Sequence, residues 1–158
     1  MRCQSQTRSP DRAVDILTVA QRSARMRLIR SKNTTPERIL RSALHKNGFR
    51  FRLHSSDLPG RPDIVFPSRR KAIFVHGCFW HQHQGCRLGR TPKTKLRYWL
   101  PKLAGNKIRD RIARRKLAGL GWRSLVVWEC EMRRSDEGIS RAVKFLRSRS
   151  KRGASKKT

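Results

Sequence analysis

The chain has 158 residues, and 40 Lys and Arg against 10 Asp and Glu give it a formal net charge of +30. No apolar stretch approaches the roughly 18 residues that span a bilayer, and no apolar signal-peptide core follows the charged N-terminus. These features argue against membrane-spanning and secreted proteins and predict one cytoplasmic or nuclear domain. A surface this basic needs a polyanionic partner, and nucleic acid is favoured because phosphate binding releases condensed counterions.

Composition predicts a folded centre between two basic ends. Residues 1–30 carry many arginines and few large apolar side chains, which is typical of a flexible arm. Residues 148–158 are too polar to pack and are predicted to form a basic tail. The folded domain is therefore predicted at residues 31–147.

The first half of this domain predicts a helix followed by strands. Thr35 suits an N-cap and Pro36 a first helical position, and apolar residues then repeat on one helical face until Gly48. The rigid sequence LPGRP at 58–62 predicts a turn. Apolar alternation or continuous apolar runs predict strands at residues 49–53, 63–66 and 71–76.

The second half predicts a helix, a strand and a last helix. The first of these helices has its apolar face at Ile108, Ile112, Leu117 and Leu120. A buried strand is expected at 122–128, and the last helix is expected to begin at Ser135 or Asp136. The order α-β-β-β-α-β-α predicts an α/β fold in which helices flank a mixed sheet.

Four soft or borderline ligands suggest a zinc site. Cys78, His83 and Cys86 lie within nine residues, and Cys130 is predicted to close the last strand. Three thiolates and an imidazole suit tetrahedral Zn²⁺, which would attach this loop to the end of the sheet. The alternative is that Cys130 is a buried apolar residue and the other cysteines are free thiols.

Asp63 is the most informative of the few acidic residues. It follows a rigid turn and opens a buried strand, so it is either a local salt-bridge partner or a metal ligand. Pro-Asp at a strand start resembles the first half of the PD-(D/E)xK nuclease pattern. The second half is absent, because Val75, His76 and Gly77 stand in its place, so histidines would have to replace the acid and the lysine.

Several unusual strings occur together at the spacing of one known family. They are LPGRPD at 58–63, HGCFWH at 76–81, NKIRDR at 106–111 and VWEC at 127–130. Together they resemble the very-short-patch-repair (Vsr) DNA mismatch endonucleases over about residues 23–146. The resemblance implies a restriction-endonuclease-like fold, a structural Zn²⁺ and Mg²⁺-dependent nicking of one strand. In that family the nick lies 5′ of the thymine in a T·G mismatch made by deamination of 5-methylcytosine.

The resemblance also assigns roles to individual residues. It makes Asp63 a Mg²⁺ ligand and Val75 a ligand through its backbone carbonyl. His81 would activate water, with His76 as the second active-site histidine. Glu37 would hold metal-bound water, and Asp110 could orient a histidine. From residue type alone, His76 could equally be a hydrogen-bonded strand-end histidine and His81 a spare zinc ligand.

The resemblance further implies how double-stranded DNA is bound. Phe79, Trp80 and Trp99 would wedge into the duplex beside the mismatch, and Met26 would lie in the segment that clasps it. The alternative for the three aromatic residues is that they pack over the zinc loop. We expect a monomer in the bacterial cytoplasm, associated with the nucleoid, with mismatch-repair proteins and a DNA polymerase acting downstream.

Two other functions remain compatible with the sequence. One is a zinc-stabilised DNA-binding module without catalysis, which would need the basic surface but neither Asp63 nor the histidines. The other is a restriction-type nuclease of different specificity, because a scaffold does not determine its target.

Overall fold

The computed structural model describes Thr18, Ala20, Gln21, Ala24 and residues 32–133 and 135–148. Two compact units are present, Met1–Arg30 and Ser31–Thr158. In the first, Thr18 and Gln21 exchange hydrogen bonds of 3.0 and 3.2 Å between backbone and side chain, as at the start of a helix. Met26 and residues 149–158 lie outside the described residues, so the predictions for the arm and the tail remain predictions.

A four-stranded mixed sheet in the order β1-β2-β3-β4 forms the centre of the second unit. The strands are β1 (Arg52–Leu53), β2 (Ile64–Phe66), β3 (Lys71–His76) and β4 (Arg123–Trp128). The first three pair antiparallel, whereas β3 and β4 pair in parallel from Lys71 with Arg123 to His76 with Trp128. A parallel pair needs a long crossover, which here contains a helix.

Helices cover both faces of the sheet. They are α1 (Thr35–Lys46), α2 (Leu96–Gly119), α3 (Glu129–Arg133) and α4 (Glu137–Arg147), with 3₁₀ turns at Pro67–Arg69 and Arg87–Gly89. On one face, Leu40 of α1 and Leu146 of α4 pack with Ile73. On the other, Leu117 of α2 packs with Phe74. Since side chains alternate along a strand, His76 lies on the α2 side with Phe74. The predicted mixed sheet with flanking helices is confirmed. Among the described residues, no helix is long and apolar enough to cross a membrane.

The N-cap prediction for α1 was wrong by one residue. Thr34 is the N-cap, and it forms a capping box with Glu37, three positions later. Glu37 accepts hydrogen bonds from the Thr34 hydroxyl at 2.9 Å and from the Thr34 amide at 3.4 Å. This reciprocal pairing selects Thr34 over Thr35 as the cap.

The apolar face predicted for α2 was confirmed at Leu117, which is buried, but was wrong at its other three residues. Ile108, Ile112 and Leu120 are 56%, 47% and 54% exposed, and the helix begins at Leu96 even though Pro101 lies inside it. The more buried stripe follows helical spacing through Leu103, Asn106, Asp110, Ala113 and Leu117. Two members of this stripe are polar because they hydrogen-bond to the loop after β3.

Two further sequence predictions need correction. The strand predicted at 49–53 is only Arg52–Leu53, because β2 offers just three residues for pairing, and Phe49 and Phe51 instead pack edge-on against Phe66. Cys130 does not end β4 but lies in the short helix α3, which the sequence did not predict. The change of backbone direction turns this cysteine toward the loop after β3.

Candidate active site and metal centre

Two histidines and one aspartate meet at the carboxyl end of β3. Nδ1 of His81 lies 2.6 Å from Oδ2 of Asp110, and Nδ1 of His76 lies 3.9 Å from the same oxygen. The two imidazole rings stack with centroids 3.7 Å apart. An ionised carboxylate only accepts hydrogen bonds, so Nδ1 of His81 carries the proton and Nε2 is left able to accept one.

The loop after β3 holds His81 in this position. The His81 amide donates to the Gly77 carbonyl at 3.2 Å, and the Asn106 side chain donates to the Trp80 carbonyl at 2.8 Å. Packing at position 77 is close, since a Cβ added to Gly77 would lie 3.2 Å from the Trp80 ring, which would have to shift slightly. Two residues of α2 therefore hold this loop: Asn106 binds the Trp80 carbonyl and Asp110 binds the His81 ring.

Burial and charge determine the protonation of this cluster. Burial lowers the pKa of His76 to about 4, assisted by the charge of His81 and only partly opposed by Asp110. Burial alone would raise the pKa of Asp110, but the hydrogen bond and the charge of His81 outweigh it and lower that pKa. At neutral pH the pair thus consists of a neutral His76 and an ionised Asp110.

Asp63 lies directly before β2 and is connected to β3. Its Oδ2 accepts a 2.7 Å hydrogen bond from the Val75 amide. Burial raises the pKa of Asp63 to about 6, although the Val75 hydrogen bond and the charges of Arg41 and His81 act against this shift. Asp63 and Val75, the two expected Mg²⁺ ligands, thus lie side by side, and the charge of His81 acts on the Asp63 carboxylate.

The turn before Asp63 leaves little freedom. The Arg61 amide donates to the Leu58 carbonyl at 3.1 Å, which confirms the predicted turn. Gly60 has φ +77°, and an added Cβ would lie 2.5 Å from Cβ of Ala113 in α2. Only glycine combines this backbone conformation with so close a contact.

Glu37 lies beside Asp63 but is already well paired. It is 3% exposed, and its carboxylate accepts hydrogen bonds from the Asn33 amide, from Thr34 and from Nη2 of Arg41, the last at 2.5 Å. One ligand atom each from Glu37, His54 and Asp63 lies within 4.8 Å of the others. The two carboxylates supply the oxygen ligands that a divalent cation such as Mg²⁺ prefers, and the adjoining imidazole adds a nitrogen that transition metals accept more readily.

Sequence reasoning did not find His54 or Arg41. Both belong to the surroundings of Glu37, since Arg41 pairs with its carboxylate and Nε2 of His54 lies 4.0 Å from Oε2. One available signal was a histidine at the end of the strand before the turn. Another was an arginine four residues after Glu37, the spacing of an ion pair on a helix.

The predicted zinc ligands Cys78, His83, Cys86 and Cys130 come together in one group. Nδ1 of His83 lies 3.6 Å from Sγ of Cys78 and 3.3 Å from Sγ of Cys130. A tetrahedral Zn²⁺ with ordinary bond lengths separates sulfur from nitrogen by about 3.6 Å. The His83 ring stacks on Trp128 with centroids 4.1 Å apart, which fixes its orientation. The donor set therefore fits Zn²⁺.

The aromatic residues form a half-exposed cluster beside the two sites. Phe79 contacts Trp80 and Trp99 with ring centroids 5.1 and 5.2 Å apart. Nζ of Lys102 lies 5.6 Å from the Trp80 ring centre and 5.9 Å from that of Trp99. Rings that are only half-buried and lie next to a cation are suited to contact both bases and phosphates.

Comparison with known proteins identifies the family. The model of the family described as "DNA mismatch endonuclease Vsr" matches residues 14–87. The chain is 56% identical to the type II nicking enzyme V.XorIIP of Xanthomonas oryzae, over 81% of this chain and 92% of that protein. It is 45% identical to the DNA mismatch endonuclease Vsr of Escherichia coli, over 75% of this chain and 76% of that protein. It is 38% identical to the type II nicking enzyme V.NmeAIP of Neisseria meningitidis, over 84% of this chain and 96% of that protein. Matches of this identity and coverage show that the chain belongs to the Vsr family of endonucleases and is a DNA-nicking hydrolase.

Proposed function

We propose that this protein nicks one strand of double-stranded DNA on the 5′ side of the thymine in T·G mismatches, in a reaction that depends on Mg²⁺. The observation that carries the proposal is the His81–Asp110 hydrogen bond of 2.6 Å, within the electrostatic reach of the buried Asp63. An oriented imidazole beside a carboxylate that can hold a cation is the equipment of a metal-assisted phosphodiesterase. We also propose that the mixed sheet and its flanking helices form a restriction-endonuclease-like fold.

The proposed mechanism divides the work between the two clusters. Asp63 and the Val75 carbonyl would hold Mg²⁺, and the bound cation would supply positive charge to the scissile phosphate and the leaving oxygen. Asp110 holds the proton on Nδ1 of His81, so that Nε2 can take a proton from the attacking water. His76 stays neutral and stacks against His81, which keeps that ring in place. Glu37 orients water near the cation.

The zinc group has a structural role in this proposal. Zn²⁺ held by Cys78, His83, Cys86 and Cys130 joins the loop after β3 to α3, without an open position for substrate. Burial raises the pKa of the Cys78 thiol to about 12, so zinc binding requires loss of a tightly held proton. The metal thus contributes to folding of the loop that carries His81.

DNA recognition is assigned to the aromatic cluster and the basic surface. Phe79, Trp80 and Trp99 enter the duplex beside the mismatch, where opening a base step costs less than in paired DNA. Met26 is proposed to contact the duplex from the N-terminal segment. The protein is proposed to act as a monomer in the bacterial cytoplasm at the nucleoid, with mismatch-repair proteins and a DNA polymerase downstream.

An alternative is that the protein nicks DNA at a target other than the T·G mismatch. The names of two relatives support this alternative, since both are called type II nicking enzymes. Under this alternative the same chemistry nicks a different target. A panel of end-labelled duplexes carrying each mismatch, with Mg²⁺ or EDTA, separates the two. Nicking confined to T·G supports the proposal, whereas equal nicking of matched duplexes supports the alternative.

Removing the proposed cation ligand should abolish nicking. Asp63→Ala should be nearly inactive in single-turnover nicking of a T·G duplex, because the cation loses its carboxylate anchor. His81→Ala should lose a factor of about 10²–10⁴, as expected for a general base. His45→Ala, at an exposed histidine of α1, is the control and should retain activity. Near-normal nicking by Asp63→Ala would contradict the mechanism.

Cation binding should weaken in acid because of Asp63. Its pKa of about 6 means that a proton competes with the cation below that pH, whereas the carboxylate is free above it. Apparent Mg²⁺ affinity should therefore fall by up to about tenfold per pH unit below pH 6. Titration calorimetry between about pH 5 and pH 7 measures this, with the exposed Asp57→Asn as the control. An affinity independent of pH in this range would exclude Asp63 as the anchor.

Loss of one zinc ligand should destabilise the protein. Cys130→Ala should lower both zinc content and melting temperature, because the loop after β3 is no longer joined to α3. Cys3→Ala, which removes a cysteine outside the proposed ligand set, should change neither. Metal analysis and thermal denaturation provide the readouts. Folded, active wild-type protein without zinc would refute the assignment.

Mismatch discrimination should depend on Trp80. Trp80→Ala should reduce the ratio of T·G to T·A binding more than it reduces binding to matched DNA, because stacking is gained at the mismatch. Trp80→Phe retains an aromatic face and should keep much of the discrimination. Equal losses on both duplexes would instead assign the ring to packing. Binding to both should weaken steeply with salt, as expected for many phosphate contacts.

A further inference from the structure

We propose that His54 is a direct ligand of the divalent cation at the active site, through Nε2, and that this nitrogen raises the preference of the site for Mn²⁺ over Mg²⁺. The inference rests on the proposed function, because it adds a ligand to the cation site assigned to Asp63. Neither the sequence motifs nor the roles implied by the family resemblance include this residue.

The backbone places His54 opposite Asp63. In the β1–β2 pair, Leu53 lies opposite Ile64, and the next His54 amide donates to the Asp63 carbonyl at 3.3 Å. His54 has φ +48°, a left-handed conformation that is uncommon for a residue other than glycine. This conformation ends the strand at the position where the site begins.

The side chain of His54 directs Nε2 to Arg41, close to the Glu37 carboxylate. Nε2 lies 3.0 Å from Nη2 of Arg41 and 4.0 Å from Oε2 of Glu37. A guanidinium can only donate, so Nε2 is the acceptor and the ring proton is on Nδ1. An imidazole nitrogen that is unprotonated and faces a carboxylate has the form required of a metal ligand.

The guanidinium of Arg41 places a positive charge between His54 and Glu37. Its Nη2 contacts both Nε2 of His54, the proposed cation ligand, and, at 2.5 Å, Oε2 of Glu37, the carboxylate proposed to hold water near the cation. The other terminal nitrogen, Nη1, donates to Asn33 Oδ1 at 2.6 Å and can keep the side chain attached when Nη2 withdraws. Within the described part of the chain, Nε of Arg41 is a buried nitrogen without a hydrogen-bond partner, so the guanidinium is incompletely held.

The ligand set predicts which cations bind best. Mg²⁺ prefers oxygen ligands and is bound poorly by imidazole, whereas Mn²⁺ lies on the transition-metal series that accepts both. An oxygen site with one imidazole nitrogen should therefore gain more affinity for Mn²⁺ than for Mg²⁺. Loss of the nitrogen should reduce that difference.

The experiment compares cation affinity in His54→Gln and in a matched control, using full-length, zinc-loaded protein without DNA. The control is His45→Gln, since His45 also contacts an arginine, with Nε2 3.1 Å from Nη1 of Arg50, but is exposed on α1. Mn²⁺ binding is followed by the electron paramagnetic resonance signal of free Mn²⁺, and Mg²⁺ binding by competition. We expect His54→Gln to weaken Mn²⁺ binding about tenfold or more and Mg²⁺ binding much less. His45→Gln should change neither.

A purely structural role for His54 gives a different result. The Gln amide oxygen can still accept from Arg41, so a positioning role predicts no change or an equal change for both cations, and either would overturn the inference. His54→Asn, which tolerates the left-handed backbone better, repeats the test if His54→Gln fails to fold. The Asp63→Asn variant distinguishes failure of the proposed cation site from failure of the His54 inference. If it leaves Mn²⁺ binding intact, the assigned cation site is wrong, whereas if it abolishes binding while His54→Gln keeps the Mn²⁺ preference, only the His54 inference is wrong.

Discussion

The parallel pairing of β3 with β4 is the constraint on which the active site depends. Six residue pairs join these strands, and their carboxyl ends lie at the same edge of the sheet. The loop after β3 therefore lies beside α3, which brings Cys78 to Cys130. Because a parallel pair cannot be closed by a tight turn, the chain crosses over through α2, and this helix supplies Asp110 to His81. One pairing thus assembles both the candidate metal centre and the imidazole–carboxylate cluster.

Acidic side chains are scarce in this protein, and the described ones near the site have separate tasks. Glu37 caps α1 and pairs with Arg41, while Glu131 pairs with Arg141. Asp110 is ionised because His81 donates to it. Within the described part of the chain, the donor to the Asp63 carboxylate is a backbone amide, and burial raises the pKa of Asp63 to about 6. A buried carboxylate with a raised pKa is stabilised when a cation binds, which connects the folding of the turn before Asp63 to the proposed chemistry.

The strongly positive charge and the aromatic cluster are suited to two kinds of DNA contact. A net charge of +30 favours any duplex, and such binding is independent of sequence and screened by salt. Phe79, Trp80 and Trp99 occupy one half-exposed cluster close to His81 in the chain, so ring insertion and phosphate hydrolysis are proposed to occur on the same side of the domain. Lys102 lies above two of these rings and places a positive charge beside them.

The sequence by itself determined the features that depend on neighbouring residues. Apolar runs predicted strands β2 to β4, the types and spacing of the cysteine and histidine residues predicted the four-residue metal group, and the family resemblance pointed to the carboxylates of the candidate site. Only the tertiary structure decided how α2 packs. Hydrophobic periodicity assumes that an inward face is apolar, but Asn106 and Asp110 face the loop after β3 because their hydrogen bonds compensate burial. The placement of His54 and Arg41 beside Glu37 likewise follows from strand register and helix packing, which join residues that have no common pattern along the chain.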